Sequence, residues 1–452
     1  MALAAAIVWE VRTGGSDNSG GGFKTGAAGT DFSQQDAAQD TGTNLTVDAV
    51  DNTKVTPDAH TPAAADVGNV IQITAGIGYT TGFYEITAQD GVEWTLDRSP
   101  AAIGVSGGTW ALGGALVSPG KAGSAHVAGN TIYVKAGTYT ITSASTNVAG
   151  GCPSLTTPSS TTTSTRLIGY NTTRDDDGTK PLLQASGIST FALVTLAQNT
   201  EVRNLSLDGA SLTSSRGVAG GTGTFSYLCK AANCTNSGFS AGIAILCEAT
   251  GCATQAAFNV VTCIACTSYS NTISGFLDGN CIDCVSANNT GASSDGFNIT
   301  VNQSRYVNCK AYTNGRSGFN FSAPSAAKAN WLINCISYNN VTSDYGSLAF
   351  DFGFLIKCAG VTVDADITAK NKIGFVTLTG DPFANAAGND FSLNNTAGAG
   401  AACRAAGIPG SSSPYTLPGL STNSYPDLGA SQHQETGGTN RAALPSGVSA
   451  LG

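Results

Sequence analysis

Six short segments align when a cysteine anchors each: YLCKAAN from Tyr227, ILCEATG from Ile245, IACTSYSN from Ile264, IDCVSANN from Ile282, VNCKAYTN from Val307 and INCISYNN from Ile333. Two before the cysteine stand Tyr, Ile, Ile, Ile, Val and Ile; two after it stand Ala, Ala, Ser, Ser, Ala and Ser. Residues at i, i+2 and i+4 of a strand share one face, so each segment is expected to turn an aliphatic or aromatic residue, a cysteine and a small residue inward. The position after the cysteine (Lys230, Glu248, Thr267, Val285, Lys310, Ile336) then faces outward. Successive anchors lie 18, 19, 18, 25 and 26 residues apart, the growth falling between strands, where added residues become surface loops. A coil of about 20 residues cannot bury its own inward face and needs neighbours above and below, which is the rule of a solenoid.

Each segment runs into an Asn-rich turn, with Asn233, Asn271, Asn288, Asn314 and Asn339 four or five residues past the anchor. Asn tolerates left-handed backbone, and its amide can bond to an Asn one coil away. A second strand is expected to begin at Gly238-Phe239, Ala257-Phe258, Gly275-Phe276, Gly296-Phe297, Gly318-Phe319 and Ala349-Phe350, with the aromatic at the same place in each coil.

Composition agrees with many short strands and tight turns: 57 Gly, a single Met and only 11% charged residues, beside 41% hydrophobic residues that can fill a core. A net charge of -9 argues against binding a nucleic-acid backbone, which needs clustered Lys and Arg that do not appear here. No segment has the length and apolarity of a membrane span. Met1 to Val8 is briefly apolar, lacks a basic start and runs into Trp9-Glu10-Val11-Arg12, so it reads as a strand opening a mature chain rather than a secretory signal.

Thirteen cysteines are an odd number and cannot all pair within one chain. Cys263, Cys266, Cys281 and Cys284 have the C-x2-C…C-x2-C spacing of a zinc ribbon. Yet Cys266 and Cys284 are rungs of the six-fold ladder, while Cys263 and Cys281 share a position with Ser226, Ala244, Tyr306 and Leu332. Cysteine packs as a small hydrophobe, so these read as buried thiols, with no metal or cofactor assigned; zinc is the alternative, and disulfides between coils stay open.

The segment Gly129-Asn-Thr-Ile-Tyr-Val-Lys-Ala-Gly-Thr-Tyr-Thr-Ile-Thr142 resembles the first coil of pectate-lyase-like right-handed β-helix proteins. Val8-Trp-Glu-Val-Arg-Thr-Gly-Gly-Ser-Asp-Asn18 resembles the amino-terminal cap of that superfamily, Thr165 to Tyr170 and Lys180 to Leu183 its next coil, and Tyr425 to Ala430 its common ending. The resemblance covers most of residues 1–40 and 125–430 and implies an all-β, right-handed parallel β-helix with an amino-terminal cap. Between cap and coils, Gly68 to Ile73, Gly82 to Ile86, Trp94 to Asp97 and Gly107 to Trp110 alternate like strands, suggesting a small inserted antiparallel β unit that resembles one in structural proteins of tailed phages. The expected organisation is cap 1–40, inserted unit 41–116, β-helix 117–400, and closing segment with flexible tail 401–452.

Polysaccharide-cleaving enzymes of this superfamily need paired carboxylates, or acids holding Ca²⁺ beside an Arg or Lys base. Asp278 and Asp295 fall in adjacent coils but about 14 Å apart by strand and coil spacing, beyond the roughly 5 to 9.5 Å of a hydrolytic pair, and read as solvated loop acids. Glu248 and Asp283 have no acid stacked beside them. His60, His126 and His433 lie outside the repeated coils, and Asp175-Asp176-Asp177 reads as a turn without the alternating ligands of a calcium loop. The Asn-Thr-Asp, the Asp-Asp pair in mid-helix, the Gly-His-Gly and the Arg-Ile-Lys that mark the superfamily's pectin hydrolases are missing from the repeated coils. No catalytic residue is therefore named.

The resulting expectation is a non-enzymatic virion protein, a capsid decoration or tail-associated β-helix of a bacteriophage, self-associating as a homotrimer and partnered by virion proteins such as the major capsid protein. The alternatives are a polysaccharide depolymerase and a carbohydrate-binding surface protein.

Overall fold

The computed structural model describes residues 3, 6–155, 164–240, 242–300, 304–321, 330–347, 353–365, 367, 372–388, 390–404, 406–407 and 428. The chain divides into two compact units, Met1–Lys230 and Ala231–Gly452.

In the first unit, strand Ile7–Val11 carries Gly22–Lys24 antiparallel on one edge and runs parallel to Thr131–Lys135 on the other. Thr165–Tyr170, Thr200–Arg203 and Phe225–Tyr227 follow, each parallel to the last. The registers put Trp9, Ile132, Leu167, Val202 and Ser226 in one buried row. Glu10, Tyr133, Ile168, Arg203 and Tyr227 form the opposite, outward row. Thr138–Ile141, Leu182–Ala185 and Ser206–Asp208 build a second parallel sheet, and Ser154–Leu155, Phe191–Leu196 and Ser215–Ala219 a third. Each coil is thus three short strands joined by corners, a parallel β-helix.

Inserted in the cap is a closed antiparallel barrel of six strands: Asp40–Val47, Lys54–Thr56, Val70–Ala75, Gly82–Gln89, Trp94–Leu96 and Gly108–Leu112. Closure removes sheet edges, and the barrel has its own core around Trp94 and Trp110, whose rings meet edge to face at 5.2 Å with Leu45, Ile71, Ile73 and Ile86 around them.

In the second unit the cysteine repeat resolves into corners. The residue before each anchor is left-handed (Leu246 φ 53°, Ala265 51°, Asp283 57°, Asn308 55°, Asn334 55°). That corner breaks the two-residue alternation, so the position two before the cysteine (Ile245, Ile264, Ile282) lies on the outer, half-buried face. The buried partner is three before it: Ala244, Cys263, Cys281, Tyr306 and Leu332. The inward placement expected for the isoleucines is corrected accordingly; the small residues two after the cysteine are buried as expected. The anchors continue to a seventh, Cys358, and all thirteen cysteines are buried.

Two further ladders define the interior. The residue four past the anchor is left-handed (Asn288 φ 54°, Asn339 φ 58°), and the residue five past it points in. Asn271 donates to Asn289 (2.8 Å), Asn289 to Asn314 (2.8 Å) and Asn314 to Asn340 (2.9 Å), and Asn271, Asn289 and Asn340 each also donate to a serine of their own coil. The amide ladder is therefore in one register, and Asn288 and Asn339 belong to the turn beside it. On the third sheet Phe239, Phe258, Phe276, Phe297 and Phe319 stack in parallel at 4.6 to 5.0 Å. Tyr345, paired in register with Phe319, continues the stack in the place assigned to Phe350, which lies outside the described residues.

Lys310 and Ile336 were expected outward but are fully buried. The hairpin Phe383–Asn385/Asp390–Leu393 and the short helix Gly400–Cys403 fold over that face, packing Phe383, Phe391, Leu393 and Leu428 with Ile336 and Ala359. The Lys310 ammonium donates to the Phe391 carbonyl and sits 5.5 Å from the centre of the Phe383 ring. Leu428 is the described part of the expected ending; the tail 431–452 lies outside the described residues.

Candidate functional site

The acids weighed from the sequence are structural. Asp295 is fully buried rather than solvated: Arg316 Nε donates to it at 2.7 Å, the Ser317 amide at 3.2 Å and Asn320 at 3.1 Å. Its place along the coil is as expected, but it lies in the buried row of Ser274 and Ser317, where a carboxylate persists only with charged and polar donors around it. Asp278, also expected in solvent, is half-buried and accepts from the Thr300 amide and, at 2.6 Å, its hydroxyl. Glu248 accepts from Tyr269. Asp283 sits at a left-handed corner, accepts from Asn308 at 2.9 Å, and burial pushes its carboxyl up to about 6.

His60 lies in the barrel between Asp40 (3.1 Å) and Asp66 (2.9 Å), against Trp94. His126 is buried at a helix end with its Nδ1 on the Gly123 carbonyl, and burial lowers its pKa. His433 lies outside the described residues. In the acidic turn Asp176 accepts from the amides of Asn171, Thr172 and Thr173, which hold its carboxyl below the usual range, and Asp177 pairs with Arg203 at 2.9 Å. Among the described residues no group of three or more His, Cys, Asp or Glu side chains is arranged to hold a metal ion.

What converges instead is the outer face of the first unit's first sheet. Strand alternation turns Glu10 and Arg12, Tyr133, Arg166, Glu201 and Arg203, and Phe225 and Tyr227 to one side. Glu10, fully buried, is clamped by Arg12 Nε at 2.9 Å, by Arg174 Nε at 2.9 Å and by the Tyr170 hydroxyl. Arg174 also bonds Asp31 at 2.8 Å and Ser33 at 3.1 Å, and its guanidinium lies 4.9 Å over the Tyr133 ring. Burial alone would lower the pKa of Arg174, but Glu10 and Asp31 outweigh it and raise it, so the cation is permanent. Arg203 lies 5.2 Å over Tyr227, and Arg166 pairs with Glu201 at 3.6 Å.

At the edge of this band the Tyr133 hydroxyl is 3.4 Å from both carboxylate oxygens of Asp175. Asp175 is exposed and held in left-handed backbone at φ 69°. Burial, then the Asp175 charge, raises the Tyr133 pKa, so the phenol keeps its proton. Reading Asp175 only as part of a turn missed this pairing. The available signal was the outward face of the first strands, which gathers Arg12, Tyr133, Arg166, Arg203 and Tyr227 on one side.

No family model and no curated protein matches the chain. Among solved structures it resembles pectate lyase Pel9A, with 16% identity and a TM-score of 0.50 over 71% of this chain and 92% of that one. It also matches ORF18 of Geobacillus virus E2 (11% identity, TM-score 0.32, 55% and 52% of the two chains). The tailspike protein gp49 of Pseudomonas phage LKA1 matches with 13% identity and a TM-score of 0.20 over 72% and 62%. The first likeness shows the fold, a right-handed parallel β-helix; the two phage structures superpose too loosely to bear on anything further.

Proposed function

We propose that this chain is a polysaccharide depolymerase that works by β-elimination on an acidic glycan lying across the outer face formed by Tyr133, Arg166, Arg203 and Tyr227. The observation that carries this reading is the Tyr133–Asp175 pair set against the permanently charged guanidinium of Arg174, 4.9 Å over the Tyr133 ring. Two groups 3.4 Å apart sit too close to flank a glycosidic bond from opposite sides, as hydrolysis requires, but suit adjacent atoms on one side of a sugar ring. In that arrangement the Asp175 carboxylate removes the proton next to the uronate carboxylate. Tyr133 gives its proton to the leaving oxygen, and the proton on Asp175 returns to Tyr133 along their hydrogen bond. Arginine neutralises the uronate charge, which makes the abstracted proton more acidic. Tyr227 and the exposed Phe225 offer rings for sugar stacking.

The test is incubation with polygalacturonate, alginate and hyaluronate beside neutral glucans, following the ultraviolet absorbance of unsaturated uronate ends. An acidic polymer gives product, and Tyr133→Phe or Asp175→Asn lowers the rate by about 10² or more, the scale of lost acid–base catalysis. Absence of product from every acidic polymer overturns the reading.

A second reading is favoured by one observation: Arg166, Arg174 and Arg203 already engage carboxylates of the chain itself. Under it the chain is a non-enzymatic bacteriophage virion protein, a homotrimer bound to virion proteins such as the major capsid protein. Its presence at fixed copy number in purified particles, without glycan cleavage, would support that reading.

A further inference from the structure

A cleft of about 710 Å³ opens between the cap loops and the inserted barrel, within the size range of small-ligand sites. One wall is formed by residues 14, 16, 18, 19 and 36–38, the other by the barrel residues 41–43, 74 and 109–111 with 58–59. Two carboxylates face it. Asp58 is held rigidly, accepting from Trp110 Nε1 at 2.9 Å and from the amides of Thr43 and Asn44 at 3.2 and 3.1 Å. Asp36 is exposed, with Arg12 3.8 Å behind it.

Glycines make room for both acids. A Cβ on Gly42 would stand 2.1 Å from Asp58 Oδ1 and 2.5 Å from Trp110 Nε1, and one on Gly14 would stand 2.5 Å from Asp36 Oδ2. The remaining lining is mostly hydroxyl and small, Ser and Thr beside Gly and Ala, with Asn18 and Trp110 and no Lys or Arg. Oriented acceptors and hydroxyls suit a polyol, and two carboxylates with no cation in the lining disfavour an anionic one.

We propose that this cleft binds a short neutral or amino-sugar oligosaccharide, a second glycan site of opposite charge preference to the Tyr133 face. It stands independently of the depolymerase reading. A polymer carrying both acidic and amino or neutral sugars would be gripped at the barrel while its acidic stretch lies on the β-helix.

Isothermal titration of the full chain with glucosamine tetramer, cellotetraose and tetragalacturonate tests this. The glucosamine or the neutral tetramer binds, tetragalacturonate does not compete for the cleft, and Asp36→Asn weakens glucosamine binding about tenfold, the loss of one charged hydrogen bond. Ala37→Trp, at an exposed position on the wall, abolishes binding, and Tyr133→Phe leaves it unchanged. Binding that survives both Asp36→Asn and Ala37→Trp overturns the proposal, as does binding of neither the glucosamine nor the neutral tetramer. Circular dichroism of both variants identifies a folding defect, and if Ala37→Trp misfolds, Asp36→Asn alone decides.

Discussion

Asn289→Ala interrupts the amide ladder at its middle. The Asn289 side chain, fully buried, donates to Ser286 Oγ (3.0 Å) and Asn314 Oδ1 (2.8 Å), and accepts from the Asn271 amide side chain (2.8 Å) and backbone N–H (3.2 Å). Alanine removes all four bonds. Asn271 Nδ2 keeps Ser268 at 2.9 Å, but the Asn271 backbone N–H and the Asn314 side-chain oxygen each lose their Asn289 partner inside the coil stack. At about 1 to 3 kcal/mol for each stranded buried group, the cost is about 2 to 6 kcal/mol. Asn288→Ala, one residue earlier, loses only the ease with which Asn occupies its left-handed corner (φ 54°), about 1 kcal/mol. Native-state hydrogen exchange read by mass spectrometry on peptides covering 265–290 and 305–320 reports the local opening free energy. Exchange there should accelerate at least about 30-fold in Asn289→Ala and about fivefold in Asn288→Ala. An equal or larger effect from Asn288→Ala would refute the register.

Phe276→Ala, at a residue 1% exposed and stacked at 4.8 Å on Phe258 and Phe297, should cost about 3 to 5 kcal/mol in urea unfolding, with Phe276→Leu losing clearly less. Asp283 carries a carboxyl raised to about 6 by burial, so its contribution is fully present below about pH 4 and is lost as pH rises through about 6. Asp283→Asn should therefore gain stability on the wild type across that window, by an amount on the order of 3 kcal/mol at neutral pH, and a constant difference from pH 4 to 7 would count against it. Burial pushes the thiols of Cys152 and Cys252 up to about 11 and about 12, and all thirteen cysteines are buried, so iodoacetamide at pH 8 should label few in the native chain and all thirteen after denaturation.

The period of the coils was legible because cysteine, small residue and aromatic recur with strand-like spacing, and the same pattern makes two of the four cysteines at zinc-ribbon spacing, Cys266 and Cys284, rungs of the ladder. The facing of Ile245, Ile264 and Ile282 was not legible. It turns on left-handed corners at residues as different as Leu246, Ala265 and Asp283, only the last of which has a side chain that favours such backbone. Asp295 was misplaced for a related reason: its stabilising cation, Arg316, lies one coil away and 21 residues along the chain. Lys310 and Ile336 are covered by a hairpin more than 40 residues downstream, a tertiary contact with no local signature. The Tyr133–Asp175 pair joins a strand to a turn 42 residues later and needs the coil register before it can be seen.

Hydrogen exchange of the full chain with and without a saturating acidic oligosaccharide tests the central claim most directly, because it locates the glycan on the fold. Protection should fall on residues 131–135, 165–175, 200–203 and 225–227, and should vanish with Arg203→Ala together with Tyr227→Ala. Protection confined to the second unit, or none with any acidic glycan, would contradict the account.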